Sequence, residues 1–173
     1  MRAFARHGAA TISSDDIVHE LLRSDEEVLA ALRARWGERV VGPDGADREA
    51  IAGIVFGDAE ELAWLEQLLH PRVVREYQAW RHAVDERPEP PRVTVAEIPL
   101  LYETGGERRF DVVVAITAPP EVRQERGRAP DDARERRLIP DEEKVRRADF
   151  AYVNDGTLEE LDAFVADVMA RLA

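Results

Sequence analysis

Two kinds of side chain stand in this sequence where chemistry could be done: polar groups at the ends of β-prone stretches, and a run of cations. Residues 123–147 carry nine cations, Arg123, Arg126, Arg128, Arg134, Arg136, Arg137, Lys144, Arg146 and Arg147, against seven acids. The segment is therefore +2 inside a chain of formal charge −12. A locally basic stretch on an acidic protein fits an anion-facing flap. It fits equally well a solvated helix laced by salt bridges. Of the 24 basic residues only Lys144 is a lysine, and a GC-biased genome explains the preference for arginine. At the ends of the β-prone stretches stand Asp15, the Pro99–Glu103 turn, Ala118-Pro119 and Asn154-Asp155.

These groups need elements to position them. Ala9–Ser13 is short and β-prone, and Ser13 with Asp16 resembles a helix start before Ile17, Leu21 and Leu22. Ser24 with Glu27 has the spacing of a capping box. Gly42-Pro43-Asp44-Gly45 is turn punctuation, and Asp47 begins another short helix. Asp58 opens the longest helical region, with a stripe of Leu62, Leu65, Leu69, Val73, Tyr77, Trp80 and Val84. Pro71 predicts a break at His70, because a residue before proline avoids helical geometry. Trp64 falls off the stripe, which suits a partner or a ligand groove.

Val93–Ile98, Asp111–Thr117 and Phe150–Asn154 read as strands. The second holds five consecutive apolar residues and should be covered on both faces. Thr157 with Glu160 caps a final helix. Strands alternating with helices predict an α/β fold with a parallel sheet and helices on both faces. In such sheets ligands bind outside the carboxyl ends of the strands.

Composition narrows the function classes. A length of 173 residues fits one domain. The absence of cysteine excludes disulfides and thiol catalysis. No apolar run approaches the ~20 residues of a membrane span, and the N-terminus lacks an unbroken apolar h-region. The net charge argues against nucleic-acid partners. His7, His19, His70 and His82 lack the close spacing of a zinc site, so no resident metal is expected. A cytoplasmic protein with no nucleic-acid and no membrane partner is the expectation; oligomeric state is left open.

Several stretches, in order along the chain, resemble the dephospho-coenzyme A kinase family. They are Ser14-Asp15-Asp16-Ile17, Pro43-Asp44-Gly45-Ala46-Asp47-Arg48, Ile54-Val55-Phe56, Leu65-Glu66 and His70-Pro71. They continue with Ile98-Pro99-Leu100-Leu101-Tyr102-Glu103, Phe110-Asp111, Pro119–Arg126, and Ala148-Asp149 leading to Val153-Asn154-Asp155-Gly156. The resemblance implies a three-layer P-loop kinase fold over 1–173, with a helical acceptor-binding insertion at about 24–90 and a lid at about 123–147. It implies transfer of the ATP γ-phosphate to the ribose 3′-hydroxyl of dephospho-CoA, with ATP as co-substrate and Mg²⁺ alongside it.

By the same resemblance Asp15 falls on the family's acidic residue beside the attacking hydroxyl, where a carboxylate orients it and accepts its proton late. An Asp at a strand–helix junction is also a common N-cap. Arg126 and Arg137 sit where lid arginines neutralise the transferring phosphate, with Arg128 and Arg136 not separable from them. Guanidinium suits that role because its planar fork matches phosphate oxygens and stays charged. His70 and the Pro99, Leu100, Leu101, Tyr102 and Glu103 turn lie where the family shapes its acceptor pocket; His70 can also be a polar cap at a helix break. Asn154, Asp155 and Gly156 correspond to the loop near the adenine, although Asn-Asp-Gly is by itself a turn.

The sequence departs from the family at its centre. A P-loop reads G-x-x-x-x-G-K-[ST], and no Gly-Lys pair occurs, since Lys144 follows Glu143. The family's motif precedes the helix matching Met1–His7. The expectation is therefore an N-terminally truncated chain lacking a first core strand, the loop and the first turn of the helix, about 15–20 residues, and inactive without them. A misassigned start, a true remnant and a non-catalytic binder of CoA-like ligands each account for that. His19 stands where the family often has Arg, and the first acid of an Asp-x-Asp pair is Ser13 here.

Overall fold

The computed structural model describes residues 1–126 and 138–172. In chain order the regular elements are α1 (Arg2–Arg6), β1 (Ala10–Ser13), α2 (Ser14–Ser24), α3 (Glu26–Trp36), β2 (Val41–Gly42), β3 (Gly45–Ala46) and α4 (Arg48–Val55). Then come α5 (Ala59–Asp85), β4 (Thr94–Glu97), β5 (Val114–Thr117), α6 (Pro120–Glu125), α7 (Asp141–Arg147), β6 (Phe150–Val153) and α8 (Leu158–Leu172). The chain divides into two compact units, Thr11–Glu97 and Met1–Ala10 with Ile98–Ala173. The strands pair two by two, β1 with β4, β2 with β3 and β5 with β6.

The Thr11–Glu97 unit is a helical body built on aspartate caps. Asp25 accepts from the Val28 N–H at 2.9 Å and starts α3, so the cap is Asp25 and not the neighbouring Ser24 that the box spacing indicated. Ser24 instead hydroxyl-bonds back to Glu20 within α2. Asp47 and Asp58 cap α4 and α5 as predicted, each accepting from two backbone N–H groups. Leu21 and Leu22 of α2, Val28, Leu32 and Trp36 of α3, Val40, Val41, Ile51, Leu65 and Leu69 form one core. Val28 and Leu32 are fully buried, a burial that contributes about 1.5–3 kcal/mol for each such side chain.

The turn at 42–45 joins β2 to β3 as an antiparallel hairpin, Val41 opposite Ala46 and Gly42 opposite Gly45. Gly45 has φ +110°, and a Cβ there would stand 2.5 Å from the Arg23 carbonyl oxygen. The hairpin thus packs backbone-to-backbone on the end of α2, which only glycine allows.

Two further expectations fail in this unit. The break at His70 does not occur: α5 runs unbroken through Pro71. Leu65 and Leu69 before the proline and Val73 after it pack on the same core, so continuing the helix keeps that stripe buried. Tertiary packing outweighs the local cost of proline. Trp64 meets the Trp36 ring edge-on at 5.0 Å, with the Arg35 guanidinium 5.5 Å from its centroid. It is core-side packing, not a partner-facing ring.

In the other unit β5 and β6 run parallel, with Val114 opposite Phe150 and Thr117 opposite Val153. The strand read over Asp111–Thr117 narrows to Val114–Thr117. Val113 accepts at its carbonyl from the Asp149 and Phe150 N–H groups and donates to Asp149 Oδ2. That contact fastens the start of β5 to the residue before β6. The five-residue apolar run is not covered on both faces: Ile116 is 45 % exposed.

Helix α8 lies along β6, with Tyr152 stacked on Phe164 at 4.9 Å. Its start is a reciprocal capping box: the Thr157 N–H donates to Glu160 Oε2 and the Glu160 N–H to Thr157 Oγ1. Helix α1, with Phe4 buried, is held to α8 by Arg6 and His7, both on the Asp162 carboxylate. The Arg6 guanidinium, then His7, hold that carboxyl below its ordinary range.

Candidate active site

Asp15 is the second residue of α2, directly after β1. The N-cap position is Ser13, and Asp15 accepts no capping bond. Its carboxylate is exposed and has no hydrogen-bond or ion-pair partner among the described residues. A carboxylate in the first turn is favoured by the helix dipole. Among the described residues nothing occupies either oxygen, so both can accept from a ligand. One turn along α2, Arg48 Nη1 lies 2.9 Å from His19 Nδ1. A guanidinium from α4 thus stands beside the His19 ring.

His70 lies within α5, exposed and without a partner among the described residues. It caps nothing, because the helix continues. Among the described residues no hydrogen bond or ion pair occupies its ring, which can therefore meet a ligand.

The Pro99–Glu103 turn belongs to the other unit. It closes on itself: the Thr104 N–H and Oγ1 both reach the Leu100 carbonyl, and the Gly106 N–H reaches that of Leu101 at 2.8 Å. Pro99 is exposed, Leu100 and Leu101 are half-buried, and Tyr102 is 8 % exposed. Burial pushes the Tyr102 phenol up from its usual pKa. Its hydroxyl has no partner among the described residues, and the Arg147 guanidinium lies 4.3 Å from its ring centroid.

Glu103 Oε1 accepts from Lys144 Nζ at 2.8 Å and from the Ile139 N–H at 3.0 Å. Both side chains of the ion pair are largely covered, at 13 % and 17 % exposure. Burial pushes the Glu103 carboxyl up, but the Lys144 ammonium and two backbone donors, the N–H groups of Glu103 itself and of Ile139, outweigh it and hold the group below the ordinary glutamate range. One turn further on, Glu107 pairs with Arg147. Glu103 and Glu107 are four residues apart and Lys144 and Arg147 three apart, so two ion pairs bind this segment to α7 side by side.

Near the carboxyl end of β6, the Asn154 N–H donates to the Thr117 carbonyl at 2.7 Å. Arg126 Nη1 donates to the Asn154 carbonyl at 3.1 Å. Asp155 and Gly156 are exposed. A Cβ on Gly156 would collide with the Glu160 carboxylate that completes the capping box. Two of the predicted groups, Arg126 and Asn154, are therefore brought together. Arg137, with Arg128, Arg134 and Arg136, lies outside the described residues.

The salt-bridged reading of the basic segment holds where it is described. Arg123 meets Asp141 at 3.4 Å, Lys144 meets Glu103, Arg146 meets Glu143 and Arg147 meets Glu107. The sequence shows Lys144 and Arg147 as cations of the basic segment and Arg48 as the end of a motif, but does not pair any of them with another site residue, and it does not mark Glu107. The lone lysine and the matched 103/107 and 144/147 spacings were signals, but pairing them requires a contact across about 40 residues. Among the described residues no group of three or more His, Asp or Glu side chains could hold a metal ion, and no helix is long and apolar enough to cross a membrane.

Comparison with known proteins gives the arrangement its context. Residues 1–160 match the profile of the family described as dephospho-CoA kinase. A dephospho-CoA kinase of Protochlamydia amoebophila is 33% identical over 95% of this chain and 85% of its own length. One of Thermobifida fusca is 34% identical over 99% of this chain and 88% of its own. A crystal structure from Thermus thermophilus superposes with a TM-score of 0.74 at 30% identity, covering 99% of this chain and 89% of that one. A dephospho-CoA kinase structure from Campylobacter jejuni shares the fold with a TM-score of 0.69 at 22% identity, over 99% of this chain and 90% of its own. On the extent of the profile match and the identities over nearly its whole length, this chain belongs to the dephospho-CoA kinase family.

Proposed function

We propose that the protein acts in transfer of the ATP γ-phosphate to the ribose 3′-hydroxyl of dephospho-CoA. The observation that carries the reading is the Asp15 carboxylate at the start of α2, which makes no capping bond and has no ion-pair partner among the described residues. A carboxylate so placed can accept a hydrogen bond from an attacking hydroxyl and take its proton as the new P–O bond forms and ADP leaves. Mg²⁺ enters with ATP, as part of the co-substrate. Arg126 and Arg137 neutralise charge on the transferring group; His70 and the Pro99–Glu103 turn serve the acceptor; Asn154–Gly156 serve the adenine.

The three-layer P-loop kinase arrangement, as a single functional domain with its lid at about 123–147, is part of the same proposal. So is the inactivity of these 173 residues by themselves. They contain no G-x-x-x-x-G-K-[ST], and lid arginines cannot replace a cradle of backbone N–H donors with its lysine. Titration calorimetry and a phosphorylation assay test the whole reading. The chain should bind dephospho-CoA in preference to nucleoside monophosphates and show no turnover. A version given a strand and glycine-rich loop ahead of Met1 should phosphorylate dephospho-CoA. Binding without turnover in that version would favour a non-catalytic binder of CoA-like ligands, and no binding in either would reject the proposal.

A further inference from the structure

The Pro99–Glu103 turn is proposed above as an acceptor-binding element, yet Glu103 is already committed within the protein. Its Oε1 takes the Lys144 ammonium and the Ile139 N–H. Its Oε2 is buried without a partner among the described residues, so no free carboxylate edge faces solvent. The residues beside it are equally committed. Tyr102 is buried under the Arg147 guanidinium, and Arg147 is paired with Glu107. Leu100 and Leu101 carry the turn's internal hydrogen bonds. What sets the attitude of this turn is therefore α7, acting through Lys144 and Arg147.

Helix α7 is fixed at its other end. Asp149, two residues beyond it, exchanges hydrogen bonds with Val113 at the head of β5, and β6 follows at once. A continuous path of contacts runs from Glu103 through Lys144 and α7 to β6 and Asn154. Such a path transmits position only if its members are held in one arrangement. Two adjacent ion pairs with three of four side chains at most 23 % exposed, and the fourth at 32 %, meet that condition.

We infer that Lys144 is a positioning residue for the acceptor: its ion pair with Glu103 holds the Pro99–Glu103 turn at the attitude in which the turn accepts dephospho-CoA. Lys144 does not touch the acceptor in this account; it acts through Glu103. The inference rests on the functional reading above and adds to it the device that orients one of its binding elements. A covered ion pair also has a property that separates this role from a merely structural one. Removing one partner strands a charge and lowers stability, whereas removing both leaves a neutral, nearly isosteric pair that is often tolerated.

The experiment measures dephospho-CoA affinity by calorimetry and melting temperature for the full chain and for Lys144→Met, Glu103→Gln, the double variant and Lys144→Arg. Each single removal should lower both affinity, by about tenfold or more, and melting temperature. The double variant should regain most of the melting temperature while keeping the affinity loss. Lys144→Arg, which retains a cation for Glu103, should recover affinity to within about threefold. Affinity that follows melting temperature throughout, or variants that bind as tightly as the original chain, would overturn the inference while leaving the functional reading intact. An original chain that binds no dephospho-CoA would overturn both.

Discussion

Arg126 and Asn154 meet through a single bond, from the guanidinium Nη1 to the backbone carbonyl at 3.1 Å. The start of the basic segment is thereby fastened to the loop that follows β6. Asn154 is held on its other side by the Thr117 carbonyl, so the loop is pinned once to the end of β5 and once to the end of α6. An exposed bond from a charged donor contributes on the order of 1 kcal/mol. Arg126→Ala should therefore speed amide exchange at Asn154 by roughly threefold to tenfold while leaving Val114–Thr117 protected. Equal exchange at Asn154 in both proteins would show that the bond does not restrain the loop.

Asp15 yields a sharper contrast. Asn keeps the size and the hydrogen-bonding reach of the side chain but cannot take a proton. In a version of the chain supplied with a G-x-x-x-x-G-K-[ST] loop, Asp15→Asn should lower kcat by about 10²–10⁴-fold. Calorimetric affinity for dephospho-CoA should change by less than about threefold, because the hydroxyl still finds an acceptor. Unchanged kcat would remove Asp15 from the chemistry.

Much of the fold was legible because its signals are local. Asp47, Asp58 and the Thr157–Glu160 box each act within one helical turn, and each caps the helix it marks. Ser24 and Asp25 show the limit of that reading. Both are capping residues at adjacent positions, and the bond to Val28 goes to Asp25 while Ser24 turns back to Glu20. Trp64 was misread because its edge-on contact with Trp36 crosses two helices. The site divides the same way. Asp15 and the Pro99–Glu103 turn carried recognisable motifs, whereas the Glu103–Lys144 pair joins residues that only folding brings together.

Pro71 offers a test of how far packing overrides propensity. A proline inside a helix costs about 3 kcal/mol relative to alanine. Its loss of unfolded-state freedom returns about 0.4–1 kcal/mol of that. Because α5 is continuous and its buried stripe lies on both sides of the proline, Pro71→Ala should stabilise the protein by about 1–3 kcal/mol in urea denaturation. A loss of stability would mean that the helix depends on a bend at this position.

Gly45 should behave in the opposite sense. Alanine at φ +110° is strained, and its Cβ would press on the Arg23 backbone rather than on a side chain that can swing away. Strain of this kind costs about 1–3 kcal/mol, and the backbone contact adds to it. Gly45→Ala should lower stability by at least that amount, whereas Gly42→Ala, whose nearest contact is 3.9 Å away, should cost less. Equal costs at the two positions would count against the close approach of the hairpin to α2.

Glu103 also leaves a signature in acid. Its carboxyl titrates below the usual glutamate range in the folded protein, because the Lys144 ammonium and two backbone donors outweigh burial. A depressed folded pKa means that the unfolded chain binds the proton first as pH falls. The stabilisation is thus fully present above the ordinary glutamate pKa of about 4.3 and disappears as pH drops through the lower folded value. Glu103→Gln lacks that titration and leaves Lys144 unpaired at every pH. The melting temperatures of the original chain and the variant should differ most near neutrality and converge below about pH 4. A gap of constant size from pH 7 down to pH 3 would show that the Glu103 carboxylate draws no stability from its partners.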